Sequence, residues 1–254
     1  EALGQNLSKL MWEGPGEELT LTENAQPALM AVSLAAMRVL EKEGGFALAD
    51  KAAYVAGHSL GEYSALAAAG TFTLADTARL LKTRGQAMQK AVPVGEGAMA
   101  AVLGLEFDDA KAVAEAASEV GVCQTANDNA PGQIVLSGAK AAVERAAELA
   151  KEKGAKRAML LDVSAPFHCA LMQPAADKMA EALGTVEMRA PSVPLIANVT
   201  AGPVDDPEVI RKLLVEQVTG MVRWRESVAW LAENGVTSVV EVGSGKVLSG
   251  LAKR

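Results

Sequence analysis

Residues 55–70 read VAGHSLGEYSALAAAG, and the parsing of this stretch decides the fold. Its first two residues close a short apolar run that begins at Ala53, as a buried strand would. Leu60 to Ala69 are strong helix formers that stop at Gly70. Between strand and helix lies Gly57-His58-Ser59-Leu60-Gly61, a G-x-S-x-G sequence. Flanking glycines permit a sharp, strained turn, and a serine at its apex stands clear of the sheet. There the helix dipole and the free N–H groups of the first turn favour a developing oxyanion. A five-residue match also arises by chance, and a turn serine is the plain alternative. The strand before and the helix after favour a nucleophile at Ser59.

Working outward, residues 24–43 (NAQPALMAVSLAAMRVLEKE) predict a long helix stopped by Gly44 and Gly45. Beyond Gly97 the pattern changes. Residues 99–105 predict a strand, 108–120 a helix, 122–127 and 133–138 two strands joined by the turn DNAPG, 141–154 a helix and 155–163 a strand. That order, β-α-β-β-α-β, is the order of a ferredoxin-like unit. Farther on, 194–198 and 238–243 predict strands, with helices over 207–218 and 223–234 between them. The expected fold class is α/β. A parallel-sheet, α/β-hydrolase-like large domain over residues 1–96 and 164–254 is interrupted by an inserted ferredoxin-like (βαββαβ) small domain over 97–163.

With 254 residues, 50% of them hydrophobic and 22% charged, the chain has the composition of a soluble globular protein rather than a disordered one. Its formal charge of −7 disfavours nucleic acid as a partner, so an anionic ligand needs a local cluster of positive groups. No apolar run reaches the roughly 18–20 residues of a membrane helix, and no secretory signal pattern opens the chain. Two cysteines, Cys123 and Cys169, make neither a disulfide framework nor a zinc pattern, and a cytoplasmic location is the default expectation. Because the chain starts at Glu1 in a helix-like segment, it is expected to be an excerpt from a longer polypeptide. GSGK at 243–246 is not a phosphate loop, since Val240 stands where the earlier glycine would be and Val247 follows the lysine.

A serine hydroxyl needs a base, and the chain has two histidines. His58 precedes the serine and leaves the elbow in another direction, which leaves His168, in SAPFHCAL, as the base. Cys169 beside it lacks an elbow and a base of its own and reads as a buried apolar residue. In LADTARLLKTRGQAMQ, Leu74, Ala78, Leu81 and Met88 form one helical stripe that also carries Arg84. A charge on an apolar face needs an anionic partner. Either an internal Asp or Glu pairs with Arg84, or its guanidinium grips a substrate carboxylate. Serine, histidine and arginine together suggest acyl transfer from a substrate with a free carboxylate.

These residues carry a resemblance. QPALMAVSLA, GHSLGEYSALAAAG, TRGQAMQ, ANDNAPGQIVLSG, SAPFHCALM and EVGSGKVLSGL together resemble, in order and over essentially the whole chain, the malonyl-CoA:acyl carrier protein transacylases and the related acyltransferase domains of polyketide synthases. The resemblance implies that Ser59 takes the malonyl group as an ester and that His168 deprotonates first the serine and then the phosphopantetheine thiol of the carrier protein. On the same basis Arg84 pairs with the malonyl carboxylate, the Leu60 N–H is one oxyanion donor, and Gln217 lies near the base. Phe167 matches the residue before the histidine in malonyl-selective members, Met88 belongs to the substrate-binding set, and Asn127 and Asn129 are ligand-binding candidates, although a turn alone explains the two asparagines. No bound cofactor is implied; malonyl-CoA is the substrate, CoA the product, acyl carrier protein the partner, and a monomer the expected state.

Two departures stand out. The family opens with a strand and a G-Q-G-S-Q loop that gives a second oxyanion N–H, and these 254 residues contain no such loop. Ser244 stands where proline is more common. The missing loop keeps open a non-catalytic, carrier-binding reading, and a serine esterase or thioesterase is the rival among enzymes. Lys151, Lys153, Lys156 and Arg157, or Arg223 and Arg225, are candidate docking patches for an acidic carrier.

Overall fold

The computed structural model describes residues 1–253. The chain opens with helices α1 (Leu7–Glu13), α2 (Gly16–Thr20), α3 (Thr22–Lys42) and α4 (Leu48–Lys51), followed by strand β1 (Val55–Ala56). Helices α5 (Leu60–Ala68) and α6 (Leu74–Ala91) come next. A compact run of β2 (Gly97–Leu103), α7 (Phe107–Ala117), β3 (Cys123–Ala130), β4 (Gln133–Ala139), α8 (Lys140–Glu152) and β5 (Arg157–Leu160) then intervenes. The chain returns through α9 (Gln173–Gly184), β6 (Leu195–Ile196), β7 (Pro203–Val204), α10 (Pro207–Thr219), α11 (Trp224–Glu233) and α12 (Val247–Leu251).

Local sequence explains the main helices. In α6 the Thr73 side chain caps the Asp76 N–H, and Leu80, Leu81, Arg84 and Met88 turn inward at helical spacing while Leu74, at the outer end of the predicted stripe, stays 41% exposed. Asp206 caps α10 through the N–H groups of Glu208 and Val209, ahead of Pro207 in the first turn. One apolar core gathers Met30 and Leu34 of α3, Leu66 of α5, Leu81 and Met88 of α6, Met179 of α9 and Leu214 of α10. A second core lies within the inserted unit, where Val113 of α7 and Val143 and Ala146 of α8 meet Ala100, Val102 and Leu136 of the sheet.

That unit is a four-stranded antiparallel sheet in the order β3-β4-β2-β5. The other sheet is small and mixed, in the order β1-β6-β7, with only β1 and β6 parallel. β7 turns back antiparallel because the Ala197–Gly202 loop closes on itself, Ala197 N–H to Gly202 O and Ala201 N–H to Ala197 O. The parallel sheet expected for the large domain is thus reduced to one two-residue pair.

The strand expected over 238–243 is not formed. Val239 and Val240 are exposed, and no strand lies beside them among the described residues. Instead Glu241 accepts the N–H groups of Leu248 and Ser249 and caps α12. No helix among the described residues is long and apolar enough to cross a membrane.

Backbone pairing and an ion pair are among the contacts that join the units. β3 extends toward the segment before α11 through Asp128 N–H to Val222 O and Val222 N–H to Ala126 O. The Asp128 carboxylate, fully buried, pairs with Arg225.

Candidate active site

The crossing from β1 to α5 depends on Gly57. A Cβ at that position would stand 2.0 Å from the carbonyl carbon of Gly61, so only glycine lets the strand end pass this close to the helix. The chain then turns at Ser59 with φ 54°, a left-handed conformation unusual for a residue with a side chain. Gly61 N–H donates to His58 O and Glu62 N–H to Ser59 O. The Leu60 N–H, the first of α5, has no acceptor among the described residues and points out of the helix start beside the serine.

His168 has φ 57° and reaches the serine from the loop before α9, its Nε2 2.8 Å from Ser59 Oγ. Its Nδ1 lies 2.8 Å from Gln217 O and 3.2 Å from Gly220 O. Both are carbonyl acceptors, so the proton sits on Nδ1 and the Nε2 lone pair faces the hydroxyl. A pair of backbone carbonyls therefore orients the base, where a hydrolase triad uses a carboxylate. Burial and the nearby Arg84 charge push the imidazole down to about 3, outweighing the two carbonyl hydrogen bonds. The histidine is neutral, as a base must be.

Arg84 is 1% exposed. Its Nη1 donates to Gln26 Oε1 at 2.8 Å, and its Nη2 donates to Gln217 Oε1 at 2.8 Å and to Ser59 Oγ at 3.1 Å. Its Cζ lies 5.7 Å from the centre of the Tyr63 ring. All hydrogen-bond partners are neutral, and Nε has none among the described residues. Of the two readings of Arg84, the internal salt bridge is not found among the described residues. A buried guanidinium with spare donors, within hydrogen-bond reach of a serine hydroxyl that faces a neutral histidine, could hold a carboxylate on an acyl group beside the hydroxyl.

Comparisons with known proteins place the chain in a family. Residues 1–250 match the family model described as acyl transferase domain. The chain belongs to the acyl transferase family. The malonyl CoA-acyl carrier protein transacylase of Bacillus subtilis (strain 168) is 49% identical over 255 residues, covering all of this chain and 79% of the relative. The Escherichia coli (strain K12) protein of the same name is 49% identical over 253 residues, with 100% and 81% covered. Among solved structures, an acyl-carrier-protein-S-malonyltransferase from Bartonella henselae superposes with a TM-score of 0.97 at 62% identity, covering all of this chain and 80% of that one. A malonyl-transacylase in complex with its type II PKS acyl-carrier protein superposes with a TM-score of 0.96 at 45% identity, covering 100% and 81%.

Within this acyl transferase the remaining expected residues fall in different places. Phe167 packs where the large core meets Met99, Ala126 and Val135 of the inserted sheet. Met88 is buried, its sulfur 3.7 Å from Gln26 Nε2, so it backs the glutamine that holds Arg84. Asn129 Oδ1 pairs with Nε2 of His58 at 2.8 Å, and the His58 ring also lies against Trp224, which makes His58 a packed residue. Asn127 is buried on β3 and bridges to Val222 through its backbone.

Three buried polar residues at the site went unassigned from sequence: Gln26, Glu62 and Asn198. Gln26 holds Arg84. Glu62 and Asn198 meet each other and Gln217. The signal for Glu62 was available: a carboxylate three residues after the serine, between helix positions that face the core.

Proposed function

We propose that this acyl transferase moves a malonyl group from malonyl-CoA to the phosphopantetheine thiol of an acyl carrier protein, through an ester on Ser59. The observation that carries the reading is Arg84: buried, bonded to no carboxylate among the described residues, and 3.1 Å from the nucleophile. In the first half-reaction Ser59 Oγ attacks the thioester carbonyl while its proton passes to His168 Nε2. The Leu60 N–H donates to the oxyanion. On collapse the carbon–sulfur bond breaks and CoA leaves with the proton from His168. In the second, the carrier thiol gives its proton to His168 and attacks the ester, and Ser59 recovers the proton as it departs. The reaction as written needs only these side chains and two thiols. Arg84 holds the malonyl carboxylate through both halves, which fixes the ester carbonyl for the incoming thiol and disfavours an acetyl group that would leave the guanidinium unpaired.

Finer points belong to the same proposal. The order β3-β4-β2-β5 supports a ferredoxin-like small domain between the two parts of a hydrolase-like large one. Phe167 shapes the acyl pocket in favour of malonyl over bulkier groups. The enzyme works in the cytoplasm, as a monomer. Arg223 and Arg225 are paired with Glu226 and Asp128, and Lys153 with Asp109, whereas Lys151 and the adjacent pair Lys156 and Arg157 are exposed and make no ion pair among the described residues. These last two are therefore the better docking patch for an acidic carrier.

The test is a comparison of malonyl-CoA with acetyl-CoA as donors to holo carrier protein, read by the mass of the acylated carrier. Arg84→Ala is expected to lower kcat/KM for malonyl-CoA on the order of 10²-fold, with a much smaller effect on acetyl-CoA. Equal losses for both donors, or transfer by Ser59→Ala, would overturn the reading.

A further inference from the structure

We propose that Asn198 and Glu62 are positioning residues for this transfer: the Asn198 side chain holds the nucleophile elbow, and Glu62 sets the orientation of the Gln217 amide that faces Arg84. The inference rests on the malonyl-transfer reading for its purpose.

The β1–β6 ladder ends at the pair Ala56 and Ile196, and past it the two backbones separate. The Asn198 side chain fills the gap. Its Nδ2 donates to Gly57 O at 2.7 Å and its Oδ1 accepts the Ser59 N–H at 2.8 Å. These are the carbonyl and amide on either side of His58, the two groups that a neighbouring peptide would bond in a parallel ladder. One side-chain amide therefore extends the sheet by a further rung and pins the chain where it enters the strained Ser59 conformation. Asn198 is itself locked. Its N–H donates to Glu62 Oε1 at 3.2 Å, its carbonyl accepts the Arg223 N–H at 2.9 Å, and it is 1% exposed.

Backbone strain points to the same loop. Among the described residues, three that are not glycine have positive φ: Ser59, His168 and Ala201. The first two are the nucleophile and its base. The third, at φ 52°, closes the tight Ala197–Gly202 turn that presents Asn198. Strain of this kind persists where the surrounding structure enforces it, and it gathers at functional sites.

Glu62 is 1% exposed, although the first turn of a helix ordinarily shows its carboxylates to water. Both of its oxygens are used, Oε1 by Asn198 N–H and Oε2 by Gln217 Nε2. The second bond decides which way the Gln217 amide faces. With Nε2 turned to Glu62 and to Ser59 O, Oε1 is turned to Arg84 Nη2. In its ionised form a carboxylate accepts at both ends and an amide does not. In Glu62→Gln one end of the new amide opposes a donor, and the relief available is a flip of Gln217 that sets an NH2 group against the guanidinium.

The test uses Ser59 labelling by a fluorophosphonate, which needs the activated serine but no carboxylate clamp, and protection of Ser59 from that label by malonate, which needs the clamp. Asn198→Ala is expected to slow labelling roughly tenfold or more, the loss expected when an elbow is no longer held in place. Glu62→Gln is expected to raise the half-protecting malonate concentration roughly tenfold, by more than it slows labelling. Asn198→Asp, close to isosteric and stripped of the donor to Gly57, guards against a folding failure of the alanine variant and is expected to label at an intermediate rate. Wild-type labelling in folded Asn198→Asp or Asn198→Ala would overturn the role of Asn198. An unchanged half-protecting concentration in Glu62→Gln, or no protection of the unsubstituted chain, would overturn the role of Glu62. Failure of the malonyl-transfer reading appears separately, as absent carrier acylation with labelling intact.

Discussion

In the proposed mechanism a neutral His168 is the condition for every step at Ser59, and burial rather than a carboxylate partner keeps the imidazole neutral. Because the folded value is pushed down to about 3, the imidazole stays in its base form as the pH falls through the range where an ordinary histidine takes up a proton. The rate of Ser59 acylation should therefore show no inflection near 6.5, measured by stopped-time mass analysis across pH 5–9. An inflection nearer 8 belongs to Glu62, whose carboxyl burial raises to about 8 against the pull of Asn198, Gln217 and Arg84. Its sign is fixed: protonation removes an acceptor, so the rate rises with pH. A limb at 6.5 that survives in Glu62→Gln would show that His168 titrates normally and contradict the burial argument. Ser59, His168 and Arg84 were legible because each breaks a local pattern: a serine between glycines, the one histidine free to act as base, a charge on an apolar stripe. Glu62, a carboxylate among core-facing positions of the helix that follows the serine, was a weaker signal, and Asn198 breaks no pattern that sequence displays. Asn198 lies 136 residues from Glu62 and 141 from Gly57, and only the fold brings them together.

At the scale of elements, the two glycines of G-x-S-x-G do different work. A Cβ at Gly57 would overlap the Gly61 carbonyl, whereas a Cβ at Gly61 meets nothing within 4 Å. Gly57→Ala should lower the thermal midpoint by on the order of 5–10 °C and slow Ser59 labelling, while Gly61→Ala keeps a midpoint close to that of the unsubstituted chain. Equal midpoints for the two variants would mean that the crossing is not as tight as its geometry. Most elements could be placed from periodicity alone, within a few residues at each end. The helix expected over 24–43 forms over Thr22–Lys42, and that over 207–218 forms over Pro207–Thr219. Apolar stripes and caps are local signals, and a helix completes its own hydrogen bonds. A strand does not. The SVVEVG stretch has strand-like composition, but without a neighbour to pair with it runs past as exposed chain, Val240 at 77%. The extent of the parallel sheet was hard to read for the same reason: short apolar runs reveal candidate strands, and pairing is a property of the pair.

For the whole molecule, the acyl transferase reads as two cores that share one site. The large core carries Ser59, Arg84, His168 and Gln217, and the inserted unit contributes Asn129 to His58 and packs Met99, Ala126 and Val135 against Phe167. With a net charge of −7, approach of an acidic carrier calls for a local basic patch, proposed above at the exposed pair Lys156 and Arg157. Reversing both to glutamate should slow transfer to the carrier roughly tenfold at low salt and flatten its salt dependence. Transfer kinetics unchanged at low salt would assign docking to another surface. The central claim is the covalent one, that Ser59 accepts the malonyl group under the control of His168 and Arg84. Intact mass of the chain after mixing with malonyl-CoA tests it most directly. The account predicts one malonyl adduct on Ser59, absent in Ser59→Ala and reduced in Arg84→Ala. An adduct that persists in Ser59→Ala, or one that forms equally well in Arg84→Ala, would contradict it.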